Sequence, residues 1–294
     1  MSKKLNRKEA VLNKSTTPAT LFVKRFARNK VAVAALVVIL CLFLMACFAP
    51  WIAPYDYSAI DIKNKLQYPS AEHLLGTDNL GRDMLSRCIW GGRVSLLVAL
   101  LSVSISTVAA IIIGSIAGYF GGQIDNIIMR ICDVFLAIPG LVLAMCISAA
   151  LGTGIVNTCI AMAITATPGL VRQIRASIIL LRDQEFIEAS KAFGGSNAGI
   201  IIKHVVPNAF APMIIQIAMS LGSCIMQIAG MSFLGLGVQP PTPEWGNMVS
   251  AGRDYLTKFY PMFLYPALFV IVTMLSFNMV GDGLRDALDP HMKR

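Results

Sequence analysis

Charge is scarce in this 294-residue sequence: Asp, Glu, Lys and Arg together make up 14% of it, against roughly 25% in soluble domains. A chain so poor in charge, and 56% hydrophobic, does not have the polar surface that a water-soluble fold needs. Lipid is therefore the expected solvent for most of it. Catalytic spacings are missing as well. There is no G-x-x-x-x-G-K-[ST] loop to cradle nucleotide phosphates, no H-E-x-x-H and no G-x-S-x-G. The three histidines, His73, His204 and His291, are scattered along the chain. No catalytic residue, bound metal or cofactor is expected of this chain. The seven cysteines, Cys41, Cys47, Cys88, Cys132, Cys146, Cys159 and Cys224, lack C-x-x-C spacing and lie mostly in apolar segments, so they read as small core residues. Low-complexity segments are absent, and so is an inverted internal repeat of the kind found in many secondary transporters.

What the sequence does have is long charge-free runs, and a helix needs roughly 20 apolar residues to cross about 30 Å of hydrocarbon. The first covers residues 31–49, after a tail rich in Lys and Arg. It has full spanning length and ends in Pro50 and Trp51 rather than at a small-residue cleavage site, so it reads as an uncleaved anchor. Residues 94–124 hold a second span. The run 134–171 is too long for one helix and breaks at Gly152-Thr153-Gly154, a turn between spans three and four. Span five is placed at about 212–234 and span six at about 261–280. With the N-terminus inside, 18 of the 25 Lys and Arg residues fall on the inner side, as the positive-inside rule requires. The net charge of +9 is thus explained by topology, without nucleic acid. The expected layout is a cytoplasmic tail over 1–30, a first transmembrane helix over 31–53, an external loop over 54–93, a five-helix core over 94–283, and a cytoplasmic tail over 284–294. The outer loop balances five acids against five bases and is expected to fold as a cap.

The most informative stretch is the inner loop over about 184–208. Phe186, Ala189 and Phe193 recur at helical spacing, with Glu185, Glu188 and Lys191 on other faces, which predicts a short amphipathic helix. Gly194-Gly195 ends it, Ser196 or Asn197 caps a second short helix, and Pro207 terminates that one. Taken on residue physics alone, this pair of helices reads equally as an element lying on the bilayer surface.

The same stretch resembles the permease signature of ABC importers. That signature runs Glu-Ala-Ala, three residues, Gly, nine residues, a variable pair, then an aliphatic residue and Pro. Here Glu188-Ala189-Ser190 is followed by Gly194, then by His204-Val205-Val206-Pro207. Ser190 stands where alanine is usual and His204 where isoleucine is common, and the histidine variant with Asn208 after Pro207 looks like the peptide/nickel branch. Further segments are similar to the C-type permease subunits of that class, in the expected order. They are Gly76-Thr77-Asp78-Asn79-Leu80-Gly81-Arg82-Asp83, Phe233-Leu234-Gly235-Leu236-Gly237 with Pro240-Pro241-Thr242-Pro243-Glu244-Trp245-Gly246, and Gly281-Asp282-Gly283-Leu284-Arg285-Asp286-Ala287-Leu288-Asp289-Pro290.

The resemblance implies an all-α integral membrane protein of six transmembrane helices with the type I ABC importer permease fold, both termini cytoplasmic, in the bacterial inner membrane. It implies a non-enzymatic subunit whose loop residues Glu188, Ala189, Ser190, Gly194, His204 and Pro207 form the element coupled to a separate ATPase. It further implies a second homologous permease as heterodimer partner, one or two ATP-binding-cassette ATPases that bind ATP and magnesium, an extracytoplasmic solute-binding protein, and surrounding lipid. Import of di- or oligopeptides is the expected activity; nickel, metallophore or glutathione import are the alternatives within the family. An ion-coupled secondary transporter is the alternative from another class.

Span five carries Gln216, Ser220, Ser223 and Gln227 on one helical face. Polar groups at membrane depth face protein or water rather than acyl chains, so the stripe reads equally as interhelical hydrogen bonding or as a pathway lining. Asp133 is expected to pair with nearby Arg130 or to snorkel. Asp282 and Asp286 read as capping groups, and Gly114 with Gly118 as a small-residue packing site.

Overall fold

Every long apolar run forms helix, because in hydrocarbon a backbone N–H or C=O finds no water and must be satisfied within its own segment. The computed structural model describes residues 18–288. The basic residues Lys3, Lys4, Arg7, Lys8 and Lys14, together with Asp289, Pro290 and His291, lie outside the described residues. Helix α1 (Pro18–Arg28) leads through Asn29 into α2 (Lys30–Cys47) and a short turn of helix α3 (Ala49–Ile52). Then come α4 (Met84–Phe120), α5 (Gly122–Leu136), α6 (Gly140–Leu151) and α7 (Ile155–Arg182). Next are α8 (Glu185–Ala192), α9 (Asn197–Ile200), a π-helical turn (Ile201–Val205) and α10 (Val206–Phe233). The chain closes with α11 (Trp245–Arg253) and α12 (Pro261–Leu288). No named strand occurs among the described residues; Thr77 and Asp83 form an isolated bridge.

Five helical stretches, α2, α4, α7, the continuous 197–233 run and α12, are long and apolar enough to cross a membrane, and α5 with α6 adds a sixth as a bent pair. That third crossing starts at Gly122, ahead of the charge-free run at 134, and it is bent. Its halves meet at 86°, because Pro139 has no N–H to donate and forces Ile138 out of the helical region. The turn at Gly152-Thr153-Gly154 lies between α6 and α7 as the sequence predicts, with Gly152 and Gly154 at φ of 88° and 131°.

Small residues bring the helices together. A Cβ on Gly118 would lie 2.9 Å from the Ile178 Cβ and 3.0 Å from the Arg175 carbonyl oxygen, and Gly114 stands equally close to Val171 and Ile174. The spacing of these two glycines is therefore the seam between α4 and α7. At the same end of the bundle α12 meets α2, where a Cβ on Gly283 would fall 2.3 Å from that of Ala32. Asn29 caps α2 by accepting from the Ala32 N–H at 3.1 Å and donates to Asp286 at 3.3 Å, so Asp286 holds the side chain of the capping residue. Helix α1 was not visible in the sequence, where its Lys and Arg residues read as tail. Its Phe26 packs near Gly283.

At the opposite end residues 54–83 fold into a hydrogen-bonded cap. Asp78 accepts from the N–H groups of Leu80 and Arg82 at 2.8 and 3.0 Å and from Arg82 Nε at 2.6 Å. Asp83 caps α4 through the Ser86 N–H at 2.7 Å and meets His73 Nδ1 at 2.9 Å. Helix α4 accordingly starts at Met84, ahead of the charge-free run, with Arg87 donating to the Tyr57 carbonyl at 3.1 Å and lying 3.5 Å from Asp78. Helix α11 lies across this end, anchored by the fully buried Trp245, whose Nε1 donates to the Cys88 carbonyl at 2.9 Å.

Candidate functional site

The signature loop folds as two short helices, with one change to the expected order. Helix α8 ends at Ala192, and Gly194 just beyond it takes φ of 78°, a left-handed conformation that only glycine adopts freely. Its N–H donates to the Lys191 carbonyl at 3.0 Å, and Gly195 N–H donates to Ser190 O at 3.0 Å. Ser196 is the cap of α9, accepting from the Gly199 N–H at 3.2 Å. Pro207 does not terminate this helix as expected. The chain widens into the π turn and continues as α10, with Pro207 in its first turn. A proline ring clashes with the carbonyl four residues back in an α-helix, and the wider turn relieves that clash. His204 sits exposed within the π turn, and its carbonyl accepts from Asn208 Nδ2 at 2.6 Å.

Burial of the loop also differs from the sequence reading. The predicted apolar face of Phe186, Ala189 and Phe193 is exposed, Phe193 at 93% and Phe186 at 42%, whereas Ile187 is fully buried. An eight-residue helix reaches the core with one side chain, and Ile200 and Val205 from the following segment complete the anchor together with Ile178 and Tyr119. Glu188 and Ala189 stay on the exposed side with the two phenylalanines, and Ser190 is half-buried. Tyr119, which the sequence did not single out, is the strut between loop and bundle. Its hydroxyl donates to Asn197 Oδ1 at 3.1 Å, and the Lys191 ammonium lies 5.4 Å from its ring centre. An aromatic residue ending a long apolar run was the one available signal.

The four polar residues of the fifth crossing do converge. Gln216, Ser220, Ser223 and Gln227 line a cleft of about 510 Å³, with Thr165, Gly169 and Gln173 of α7 opposite and Leu136 of α5 at one edge. Ser223 donates to the Met219 carbonyl at 3.2 Å and Thr165 to the Ala161 carbonyl at 3.0 Å, each within its own helix. Among the described residues no hydrogen bond ties any of the four to another helix. The bend of the third crossing opens onto this cleft: a Cβ on Gly140, the first residue of α6, would lie 3.7 Å from Gln227 Oε1.

Charged groups flank the cleft on α5 and α7. Asp133 pairs with Arg172 rather than with Arg130, since α7 packs alongside α5 and brings Arg172 across the gap. Nearer the signature-loop end, about two turns away on α5 and one on α7, Arg175 holds both carboxylate oxygens of Asp125.

Near the opposite end Glu244 is fully buried, with no cationic partner among the described residues. It accepts from Ser95 Oγ, the Gly246 N–H and the Asn247 N–H, each at 2.9 Å, and so caps α11 while tying it to α4. Burial pushes its carboxyl above the ordinary glutamate range, against the pull of these donors. In the sequence Glu244 stands only as part of a proline-rich segment similar to C-type permeases, and nothing local marks the carboxylate as buried.

Residues 110–294 match the family described as binding-protein-dependent transport system inner membrane component, and residues 17–69 match the N-terminal transmembrane domain of oligopeptide transport permease C. The dipeptide transport system permease protein DppC of Alkalihalophilus pseudofirmus is 43% identical over 92% of this chain and 89% of its own length. The di/tripeptide transport system permease protein DppC of Pseudomonas aeruginosa is 44% identical over 94% of this chain and 93% of its own. The glutathione transport system permease protein GsiD of Shigella boydii is 40% identical over 98% of each. Among solved structures, the MetNI methionine ABC transporter in inward-facing conformations superposes on 70% of this chain with a TM-score of 0.56 at 17% identity, covering 98% of that chain. An amino acid ABC transporter solved with histidines does so on 67% with a TM-score of 0.53, covering 92% of that chain.

Proposed function

The chain belongs to the family of binding-protein-dependent transport system inner membrane components, and from that membership we propose that it is the permease subunit of an ATP-driven importer of di- and tripeptides. It is a multi-pass protein of the inner membrane. Together with a second, homologous permease it encloses the translocation path, of which the Gln216, Ser220, Ser223 and Gln227 cleft is this chain's half. An uncharged lining, in which Gln, Ser and Thr side chains stand among Leu, Met and Cys, suits a substrate rich in amides, which exchange water for Gln and Ser without a deep trap. The absence of cross-helix hydrogen bonds from these residues, among the described residues, favours a lining over interhelical fastening.

The N-terminus and the 184–208 loop face the cytoplasm, where Glu188, Ala189, Ser190, Gly194, His204 and Pro207 form the coupling element. The exposed Phe186 and Phe193 supply an apolar face for a separate ATPase, on which ATP and magnesium bind and hydrolysis takes place. The ATPase's movement reaches the bundle through Tyr119 and α10, and the path alternates its access. A solute-binding protein delivers substrate to the end that carries the 54–83 cap.

The observation that carries the substrate class is the identity of 43–44% over more than nine-tenths of the chain to permeases named for di- and tripeptides. Glutathione, itself a tripeptide, is the second reading, on the 40% identity to a permease named for it. Purification of the tagged chain from its host in mild detergent should recover a second permease, an ATPase and a binding protein. ATP-driven uptake of a dipeptide against glutathione by the reconstituted complex then names the substrate. A lone homo-oligomer without ATPase activity would overturn the reading.

A further inference from the structure

Two ion pairs join α5 to α7, and they are built differently. Asp125 is gripped at both oxygens by Arg175, and the two side chains are 13% and 28% exposed. Asp133 and Arg172 touch through one oxygen and one terminal nitrogen, and they are 55% and 53% exposed. The first pair already fastens the two helices. The second leaves one carboxylate oxygen and most of the guanidinium donors without a partner among the described residues. Ionisable side chains within membrane-spanning segments face protein interior or water, since acyl chains offer them no partner.

The position of the half-exposed pair identifies what it faces. Asp133 precedes Leu136 by three residues on α5, and Arg172 follows Gly169 by three on α7; Leu136 and Gly169 both line the polar cleft. Residues three apart on a helix share a face, so the pair lies at the edge of the cleft on the same two walls, with Asp133 one turn past Leu136 on α5 and Arg172 next to the lining Gln173 on α7. Helix α5 starts and α7 ends at the signature-loop end, so the pair sits at the edge of the cleft that faces that end. The cleft itself offers amide and hydroxyl groups and no charge.

Resting on the peptide-import reading above, we propose that Asp133 and Arg172 form a charge-reading site on the exit side of the path, which opens to receive the two charged ends of a short zwitterionic peptide. Arg172 takes the terminal carboxylate, for which its planar fork is matched, and Asp133 takes the terminal ammonium. The neutral cleft handles the peptide bonds, and the pair handles the charges that would otherwise leave water unpartnered. Between substrates the two side chains close on each other, so neither charge is left alone at membrane depth.

The test uses the complete complex, with both permeases, its ATPases and its binding protein, in proteoliposomes supplied with dialanine and ATP. Asp133→Asn and Arg172→Gln should each lower uptake about tenfold, the effect expected from loss of one charge-assisted contact. The double variant, which has no unpaired charge, should remain as low. If the double variant returns to within twofold of the wild type, the pair is a fastening and the proposal fails. A second measurement does not depend on how the neutral variants fold. In Arg172→Cys complexes a charged, membrane-impermeant thiol reagent should modify the new cysteine over the background of the native ones, and dialanine with ATP should slow that modification. No modification, or no protection by substrate, overturns the site. Failure of the wild-type complex to take up dialanine would instead retire the peptide-import reading itself.

Discussion

At the scale of single residues, backbone conformation and burial carry the sharpest expectations. Gly194 holds φ of 78° with open space around its missing Cβ, so a side chain there meets no clash and acts through the backbone alone. The left-handed conformation costs an L-residue about 1–2 kcal/mol, more than a two-helix loop on the surface readily absorbs. Gly194→Val should therefore leave membrane insertion intact while lowering ATP-driven uptake at least several-fold; unchanged uptake at normal membrane levels would remove the loop from the coupling role. Glu244 makes the complementary case. Its carboxyl is raised by burial, so the folded protein binds a proton more readily than the unfolded chain, and stability falls as pH rises from the ordinary glutamate value through the raised one. Thermal unfolding followed across that interval should show the fall. Glu244→Ala should remove this contribution to the pH dependence and lower the midpoint, because it strands the Gly246 and Asn247 N–H groups at a cost of about 1–3 kcal/mol each.

At the scale of elements, the bundle is organised by close approach rather than by bulk. The seam between α4 and α7 depends on Gly114 and Gly118, and a Cβ at the latter would already touch Ile178 at 2.9 Å. Gly118→Leu should force the helices apart, with an overpacking cost of about 1–3 kcal/mol. It should also displace the adjoining Tyr119 from Asn197. The measurable outcome is a lower unfolding temperature together with weakened coupling between ATP hydrolysis and uptake. Normal coupling in a destabilised Gly118→Leu protein would mean that Tyr119 is no strut. The small-residue spacing was legible in the sequence because it is a local pattern. Which helix it serves was not, since any of the other crossings offers an apolar partner.

At the scale of the whole molecule, contacts place the start of α2, the end of α4, the signature loop and the end of α12 at one end of the bundle, with the 54–83 cap and α11 at the other. The excess of Lys and Arg toward the first end predicts that it is cytoplasmic. Single cysteines introduced at Glu72 and at Lys191 in a background without the native ones distinguish the two ends. In intact cells stripped of any outer barrier, an impermeant reagent should label position 72 and spare 191. The reverse pattern would turn the protein over and separate the signature loop from any cytoplasmic ATPase.

The sequence by itself determined the solvent, the order of the crossings with the turn between the third and fourth, and the loop with its capping serine and its left-handed glycine. Each of these follows from hydropathy, helical period or a few adjacent residues, and so is written locally. Even the polar stripe of Gln216, Ser220, Ser223 and Gln227 was legible as one face of a helix. Tertiary structure decided what that face looks at, that the third crossing bends by 86° beside it, and that Asp133 answers Arg172 instead of Arg130. It also decided that Ile187 rather than Phe186 or Phe193 is buried, and that Glu244 ends without a counter-charge among the described residues. These outcomes depend on how helices far apart in the chain rotate and cross, and in a bundle where nearly every face is apolar, hydropathy leaves that choice to the packing of side chains.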